Sequence, residues 1–225
     1  MKKAFISLFL LALPLYIYAQ ASGEQIRRKP TTARNSQNKT SGDANLYTKT
    51  GSQNGHGYVD LGVSVKWATC NIGASLPEES GNYYAWGEIE SKIYYGKDNY
   101  NGANKQSFDN ISDVANIVWG GKWRMPTYDE FKELSNKCRW KWTSLKGKAG
   151  FCVIGKNGNS IFLPAAGFHA EESIYKNGRG YYWTSTLDEN VQNPQPYCLQ
   201  MFDAVHEIYN YMWEWMGLSV RAVYQ

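Results

Sequence analysis

Four large rings recur at every second position near the end of the chain: Tyr209, Tyr211, Trp213 and Trp215, in the stretch YNYMWEWMG. In a strand, alternate side chains point to opposite faces, so one face of a strand here carries only aromatics. The other face carries Asn210, Met212, Glu214 and Met216. Glu214 makes that face a poor candidate for burial, so a strand buried on both sides is not expected. If the rings face inward, Met212 and Met216 are left outside. If they face outward, a wide apolar patch is exposed. Either arrangement brings large apolar groups to the surface, and such patches usually mark binding sites. Tyr and Trp offer contact area at low entropic cost, Met adapts to shape, and Trp faces stack on sugar rings. A regular strand is not the only option, because a Trp-Glu-Trp loop tip would expose both indoles.

Other residue types that do chemistry are present but scattered. The three histidines, His56, His169 and His206, have neither Ser-His-Asp spacing nor an H-E-x-x-H pattern around them. His56 lies at a linker boundary and His169 in a polar stretch. Glu171 and Glu172 are adjacent carboxylates, which diverge on a helix or a strand alike. The stretch LDENVQNPQP (187–196) offers Asp188, Glu189, Asn190 and Asn193 as oxygen ligands of the kind Ca²⁺ takes. The Glu-Pro-Asn and Gln-Pro-Asp triplets of calcium-dependent sugar-binding lectins are both missing, and Gln195-Pro196-Tyr197 has no carboxylate to replace them. A plain polar loop is the expectation, with no cofactor. Cys70, Cys138, Cys152 and Cys198 are widely spaced with no C-x-x-C pair, which argues against zinc. In an exported chain four cysteines allow two disulfides in three connectivities; buried thiols are the alternative.

The elements that must position these residues can be sketched from local signals. Tyr58–Leu61 and Ser64–Thr69 read as strands around a Gly-containing turn, and 81–90 as extended. Residues 91–110, rich in Tyr, Asn and Gly, read as loop. SDVANIVW (112–119) reads as a helix capped by Ser112 and stopped by Gly120-Gly121. A better-marked helix follows Pro126: Thr127 and Glu130 form a capping box, and Phe131, Leu134 and Cys138 make one stripe, giving a helix to about Lys137. GFCVIG and NSIFLP flank Asn157-Gly158, the strongest short hairpin signal. Strands then follow at 181–186, 197–202, 205–215 and 218–224. The sum is an α+β fold in which strands outnumber two helices.

The chain opens with Lys2-Lys3, an apolar run from Ala4 to Leu15, and small residues at Ala19 and Ala21. This is the pattern of a cleaved signal peptide over 1–21, too short for a membrane span. Residues 22–55 are rich in Ser, Thr, Asn and Gln and nearly free of large apolar groups, so they read as a flexible tether. Arg27, Arg28 and Lys29 there read as solvated linker charge. The formal net charge of +4 falls to +2 once Lys2 and Lys3 leave with the leader. A nearly neutral chain does not suit nucleic acid as a partner. No other run is long and apolar enough to span a bilayer, so the mature chain is expected without a transmembrane segment. All nine tryptophans lie in 56–225, a length that can bury a single core.

Six phrases in collinear order carry a family resemblance: WATCNIGA (67–74), YYAWGE (83–88), GGKWRMPTYDEF (120–131), GNSIFLPAAGF (158–168), YYWTST (181–186) and SVRAV (219–223). Together they resemble the Fibrobacter succinogenes major paralogous domain, found in secreted proteins of gut Bacteroidetes and similar in turn to the C-type lectin-like fold. The resemblance implies paired first and last strands, two flanking helices and a loop-rich half that carries the binding surface. It places SVRAV as a core strand beside the YVDLG region. Trp123, Arg124 and Pro126 become a structural corner leading into the capped helix. The tail departs from the family's Val-Arg-Pro-Val-Arg pattern at Ala222 and Tyr224. Among the cysteines the resemblance favours Cys70–Cys138 and leaves Cys152–Cys198 as the remainder.

Fold alone does not give function. The formylglycine-generating enzymes share the wider fold and use thiols late in the chain. Cys198 is the one late candidate and has no neighbouring second cysteine, so no catalytic residue is assigned. Variable proteins of diversity-generating retroelements place their diversified residues before the last strand. That makes Tyr197, Gln200, His206, Tyr209, Asn210, Tyr211, Trp213 and Trp215 the binding candidates. The expectation is a secreted or cell-surface module that binds a protein or a glycan through this aromatic surface. A structural subunit docked permanently through the same rings is the alternative. With SVRAV as the closing strand, Tyr209 and Tyr211 are expected to pack inward, and Trp213 and Trp215 to meet the partner.

Overall fold

A computed structural model of the chain describes residues 47–102, 113–189, 192 and 194–225. Residues 1–46, which hold the expected leader and most of the expected tether, and Ser112, Asn190 and Asn193 lie outside the described residues. The fold begins before residue 56. Gly51–Gln53 (β1) pairs antiparallel with His56–Val59 (β2) across Asn54-Gly55. Both turn residues have positive φ, 46° and 79°, as a two-residue hairpin of this hand requires. The side chain of Asn54 donates to the Trp119 carbonyl at 3.1 Å, and the Trp123 indole donates to the Gln53 carbonyl at 2.9 Å. The end of the polar segment is therefore bonded to the domain, and a boundary drawn at 56 from composition cuts a hairpin in two.

Lys66–Ala68 (β3) follows, then the first helix, Val114–Trp119 (α1). Asp113 caps it: Oδ1 accepts from the Ala115 and Asn116 amides, while both carboxylate oxygens accept from the Met125 amide. Burial pushes this carboxyl up and the amide bonds oppose that shift. Trp123–Arg124 (β4) leads into Tyr128–Lys137 (α2). Here the capping box forms as its sequence implies. Thr127 Oγ accepts from the Glu130 amide at 3.2 Å, and Glu130 accepts from the Thr127 amide at 2.8 Å. Arg124 holds the same Glu130 with two bonds, 2.8 and 2.5 Å, a fork-on-carboxylate arrangement. Phe131 and Leu134 are fully buried, each contributing about 2 kcal/mol of apolar burial.

The remaining strands are Arg139–Leu145 (β5), Lys148–Ile154 (β6), Ser160–Pro164 (β7), Phe168–Ala170 (β8), Ser173–Tyr175 (β9), Gly180–Asp188 (β10), Gln195–Phe202 (β11), Val205–Tyr209 (β12) and Val223–Tyr224 (β13). Sheets run in the orders β1-β2-β3-β13-β4, β5-β6-β7, β8-β9 and β10-β11-β12. Every ladder between named strands is antiparallel, so the molecule is a sheet-rich α+β fold with two α-helices among the described residues. The terminal strand differs from expectation in two ways. Only Val223 and Tyr224 form a ladder, and their partner on one side is β3, with β2 one strand further away.

Residues 219–223 are all fully buried. The charged one, Arg221, meets oxygens on every side. Its Nε donates to Asn71 Oδ1 at 2.9 Å, Nη1 to the Ala68 and Thr69 carbonyls at 3.0 Å each, and Nη2 to the Phe162 carbonyl at 2.9 Å. Asn71 in turn donates to the Ser80 carbonyl and to Tyr182 Oη, and Tyr182 donates to the Pro164 carbonyl at 2.6 Å. Replacing Arg221 leaves several buried acceptors without donors, a desolvation loss that cavity formation adds to. Arg221→Met is expected to lower the free energy of unfolding by about 3–5 kcal/mol, read from urea denaturation. Arg221→Lys recovers little, because one ammonium cannot reach acceptors that lie around a planar fork.

Candidate functional site

The aromatic stretch is not one strand. β12 ends at Tyr209, and the chain then leaves the sheet and is pinned at five places. Asn210 Nδ2 donates to Asp188 Oδ2 at 2.8 Å. The Trp86 amide donates to the Glu214 carbonyl at 2.8 Å, and the Met216 amide closes a turn on the Trp213 carbonyl at 2.9 Å. Gly217 exchanges two 2.8 Å bonds with His169, and Leu218 exchanges bonds of 3.0 and 2.9 Å with Tyr84. A Cβ on Gly217 would lie 2.8 Å from the Tyr95 ring and 3.0 Å from Tyr83 Cβ, so only glycine fits between its two neighbours without displacement.

This path breaks the two-residue alternation. Tyr209 and Trp215 turn toward the core beside Trp86 and Trp183, and Met212 packs there too. Met216 is buried. Tyr211 is 78% exposed and Trp213 54% exposed. The expected division is corrected at two positions: Tyr211 lies outside and Trp215 lies half-buried inside. Tyr211 rests on its inner neighbour, with the Tyr209 and Tyr211 ring centroids 4.8 Å apart and tilted by 36°.

The eight candidate residues do not share one surface. In β11 and β12 the pairs Leu199–Ile208 and Met201–His206 alternate with Cys198–Tyr209 and Gln200–Glu207. The first set joins the core built around Trp67 and Phe131 of α2. The second set carries Cys198 and Tyr209 into the core around Trp86. Tyr197 meets Tyr128, the first residue of α2, at 4.6 Å with the rings tilted by 47°, and His206 stacks on Trp140 at 4.2 Å with a 5° interplanar angle. Gln200 Nε2 reaches Tyr181 Oη at 3.4 Å on the opposite face. What remains as an outward surface is Tyr211 and Trp213, with Asn210 as a hydrogen-bonded post at their base.

Sequence reasoning missed the shelf that carries this loop. Trp86 donates its amide to Glu214 and its indole to the Thr184 carbonyl at 2.8 Å, so it clamps the loop to β10. Tyr100 donates to the Trp86 carbonyl at 2.8 Å, and Lys92 binds Glu88 and the Asn99 carbonyl. Tyr95, whose phenol burial pushes up to about 12, donates to the Tyr83 carbonyl. A Trp-Gly-Glu triplet in an irregular stretch gives no local sign that it contacts Thr184 and Glu214, far along the chain.

The other reactive types are packed rather than assembled. Cys198 is fully buried; burial raises its thiol pKa, and it hydrogen-bonds Tyr209. Cys70, Cys138 and Cys198 are free thiols, and Cys152 bonds Ser160; neither the favoured Cys70–Cys138 bridge nor the remaining Cys152–Cys198 pair is formed. No group of three His, Cys, Asp or Glu residues is placed to hold a metal ion among the described residues. Of the carboxylates expected to offer oxygen ligands, Asp188 is tied to Asn210 and Tyr197. No helix among the described residues is long and apolar enough to cross a membrane. Comparison with protein-family models, with curated proteins and with solved structures finds no match in any of the three.

All three histidines are held below their ordinary pKa by burial. His56 stacks on Trp119 at 4.0 Å, and His169 lies 4.7 Å from the Tyr95 ring. His169 Nε2 and His206 Nδ1 are buried with no hydrogen-bond partner among the described residues. The unfolded chain takes up these protons near pH 6.5, so it binds more protons than the folded chain below that point. Stability is therefore full above about pH 6.5 and falls as the pH drops below it. The urea midpoint is expected to fall between about pH 7.5 and pH 5.5, and His206→Phe, which keeps a ring on Trp140, to flatten that slope. An equal slope in the variant would remove His206 from the account.

Proposed function

We propose that the chain is a secreted or cell-surface binding module with a C-type lectin-like fold, which holds a protein or glycan ligand against Tyr211 and Trp213. One observation carries this reading: two large aromatics stand exposed on a loop whose backbone is bonded to Trp86, Tyr84 and His169. Such a loop loses little freedom when a ligand arrives, so most of the contact energy appears as affinity. Tyr and Trp are also the side chains over-represented where binding energy concentrates. The secretory leader and the resemblance of six segments to the Fibrobacter succinogenes major paralogous domain support the location and the fold.

The test pairs a glycan array with a pull-down from surface extracts, using wild type and Tyr211→Ala/Trp213→Ala. The double variant is expected to lose at least about tenfold in affinity while its urea unfolding stays within about 0.5 kcal/mol of wild type. Unchanged binding by a normally folded double variant would overturn the reading. Trp215→Ala is the contrast: its ring packs on the core, so it is expected to cost stability before it costs binding. Diversification by a retroelement is a further part of the proposal. It predicts adenine-rich codons at 211 and 213 and a template repeat beside a reverse-transcriptase gene, and a genomic neighbourhood holding neither would remove it.

A further inference from the structure

A second concave feature lies away from this loop. Where α2 ends and β5 begins, a hollow of about 450 Å³, open to solvent, is lined by Lys137, Cys138 and Arg139 on one side. Ile154, Lys156 and Gly158, from the end of β6 and the turn after it, form the other side. Three cations and no carboxylate line it. Lys137 is shared with Glu133 at 2.7 Å, but the other Glu133 oxygen is taken by the Ser64 amide and hydroxyl. Arg139 and Lys156 enter no ion pair among the described residues.

A solvated basic surface is the ordinary explanation for clustered lysines, and a helix C-terminus favours cations by itself. That accounts for Lys137, in the last turn of α2. It does not account for Arg139 or Lys156, which two other elements bring to the same hollow. The partial charge at a helix end is about half a unit, less than the two unpaired cations facing it. An arginine fork beside ammonium groups matches tetrahedral oxyanions. We propose that this cavity binds a small molecule bearing a phosphate or sulfate group. Cys138 supplies floor, not chemistry: burial and nearby Glu133 push its thiol up, which keeps it protonated. None of these residues belongs to the Tyr211 and Trp213 surface, so the two proposals stand or fall separately.

The test is calorimetric titration of the full chain, at low ionic strength, with glucose 6-phosphate, galactose 6-sulfate and uncharged glucose. At least one charged sugar is expected to bind at least about tenfold more tightly than glucose, and the stronger of the two identifies the anion. Arg139→Glu/Lys156→Glu, at exposed positions, is expected to abolish the preference while thermal unfolding stays cooperative. Tyr211→Ala/Trp213→Ala is expected to leave it intact. Equal binding of charged and uncharged sugars, or a preference that survives the double charge reversal, would overturn the proposal.

Discussion

A guanidinium held wholly out of water is the constraint around which this fold closes. Removing such a charge from solvent costs several kcal/mol unless its donors find acceptors in good geometry. Arg221 finds four, and no two structural units supply all of them. Ala68 and Thr69 come from the end of β3, Asn71 from the turn beyond, and Phe162 from the middle of β7. The five-stranded sheet and the β5-β6-β7 sheet must both be in place before the charge is satisfied. An apolar residue at this position would tolerate looser arrangements of the same strands. Arginine does not, because each misplaced carbonyl leaves a buried donor unmet.

The consequence reaches the candidate surface through a short stretch of chain. Gly217 and Leu218 lie three to four residues before Arg221 and are bonded on one side to His169 and on the other to Tyr84. Trp183, next to the Tyr182 that joins the Arg221 network, donates its indole to the Tyr84 carbonyl at 2.8 Å. The loop above is thus placed by the same bonds that hold the core. β11 sends Cys198 into one core cluster and Leu199 and Met201 into the other, while β12 is half-buried along its length with Glu207 exposed. A strand committed to both clusters, as β11 is, cannot offer a binding face, and the large exposed rings come from where the chain leaves the sheet.

Local signals were the legible part of the fold. The capping box at Thr127 and Glu130 and the Asn157-Gly158 hairpin form as read, because each depends on residues within a few positions. The same logic would have found the Asn54-Gly55 hairpin, but the polar composition around it outweighed the turn signal. α1 is capped by Asp113, one residue beyond the assigned Ser112; both are good caps, and the accepting oxygen is chosen by the Met125 amide twelve residues away. β5 went unread although RWKW alternates charge and ring, a strand pattern. The aromatic stretch failed in the opposite sense. Its alternation was real in sequence and absent in space, because the side chain of Asn210 and the backbone groups of Glu214 and Met216 find partners off the ladder. No count of apolar residues at every second position reveals that.

The way the loop is held decides what it can tolerate. From Glu214 to Leu218 the path is bonded through the backbone, at the Glu214 carbonyl, the Met216 amide and both groups of Gly217 and Leu218. Asn210 is the side-chain exception, at the base. The contact that describes Tyr211 is the ring of Tyr209 beneath it, and Trp213 contributes its carbonyl to the turn. Position is therefore carried by the main chain and contact chemistry by the side chains, with little overlap between them. Substitution at 211 or 213 changes what the surface presents without releasing the turn that presents it. Substitution at 209, 215 or 216 removes packing from the core instead. A surface with that separation is suited to variation in ligand preference, since the residues free to change are the ones a ligand would touch.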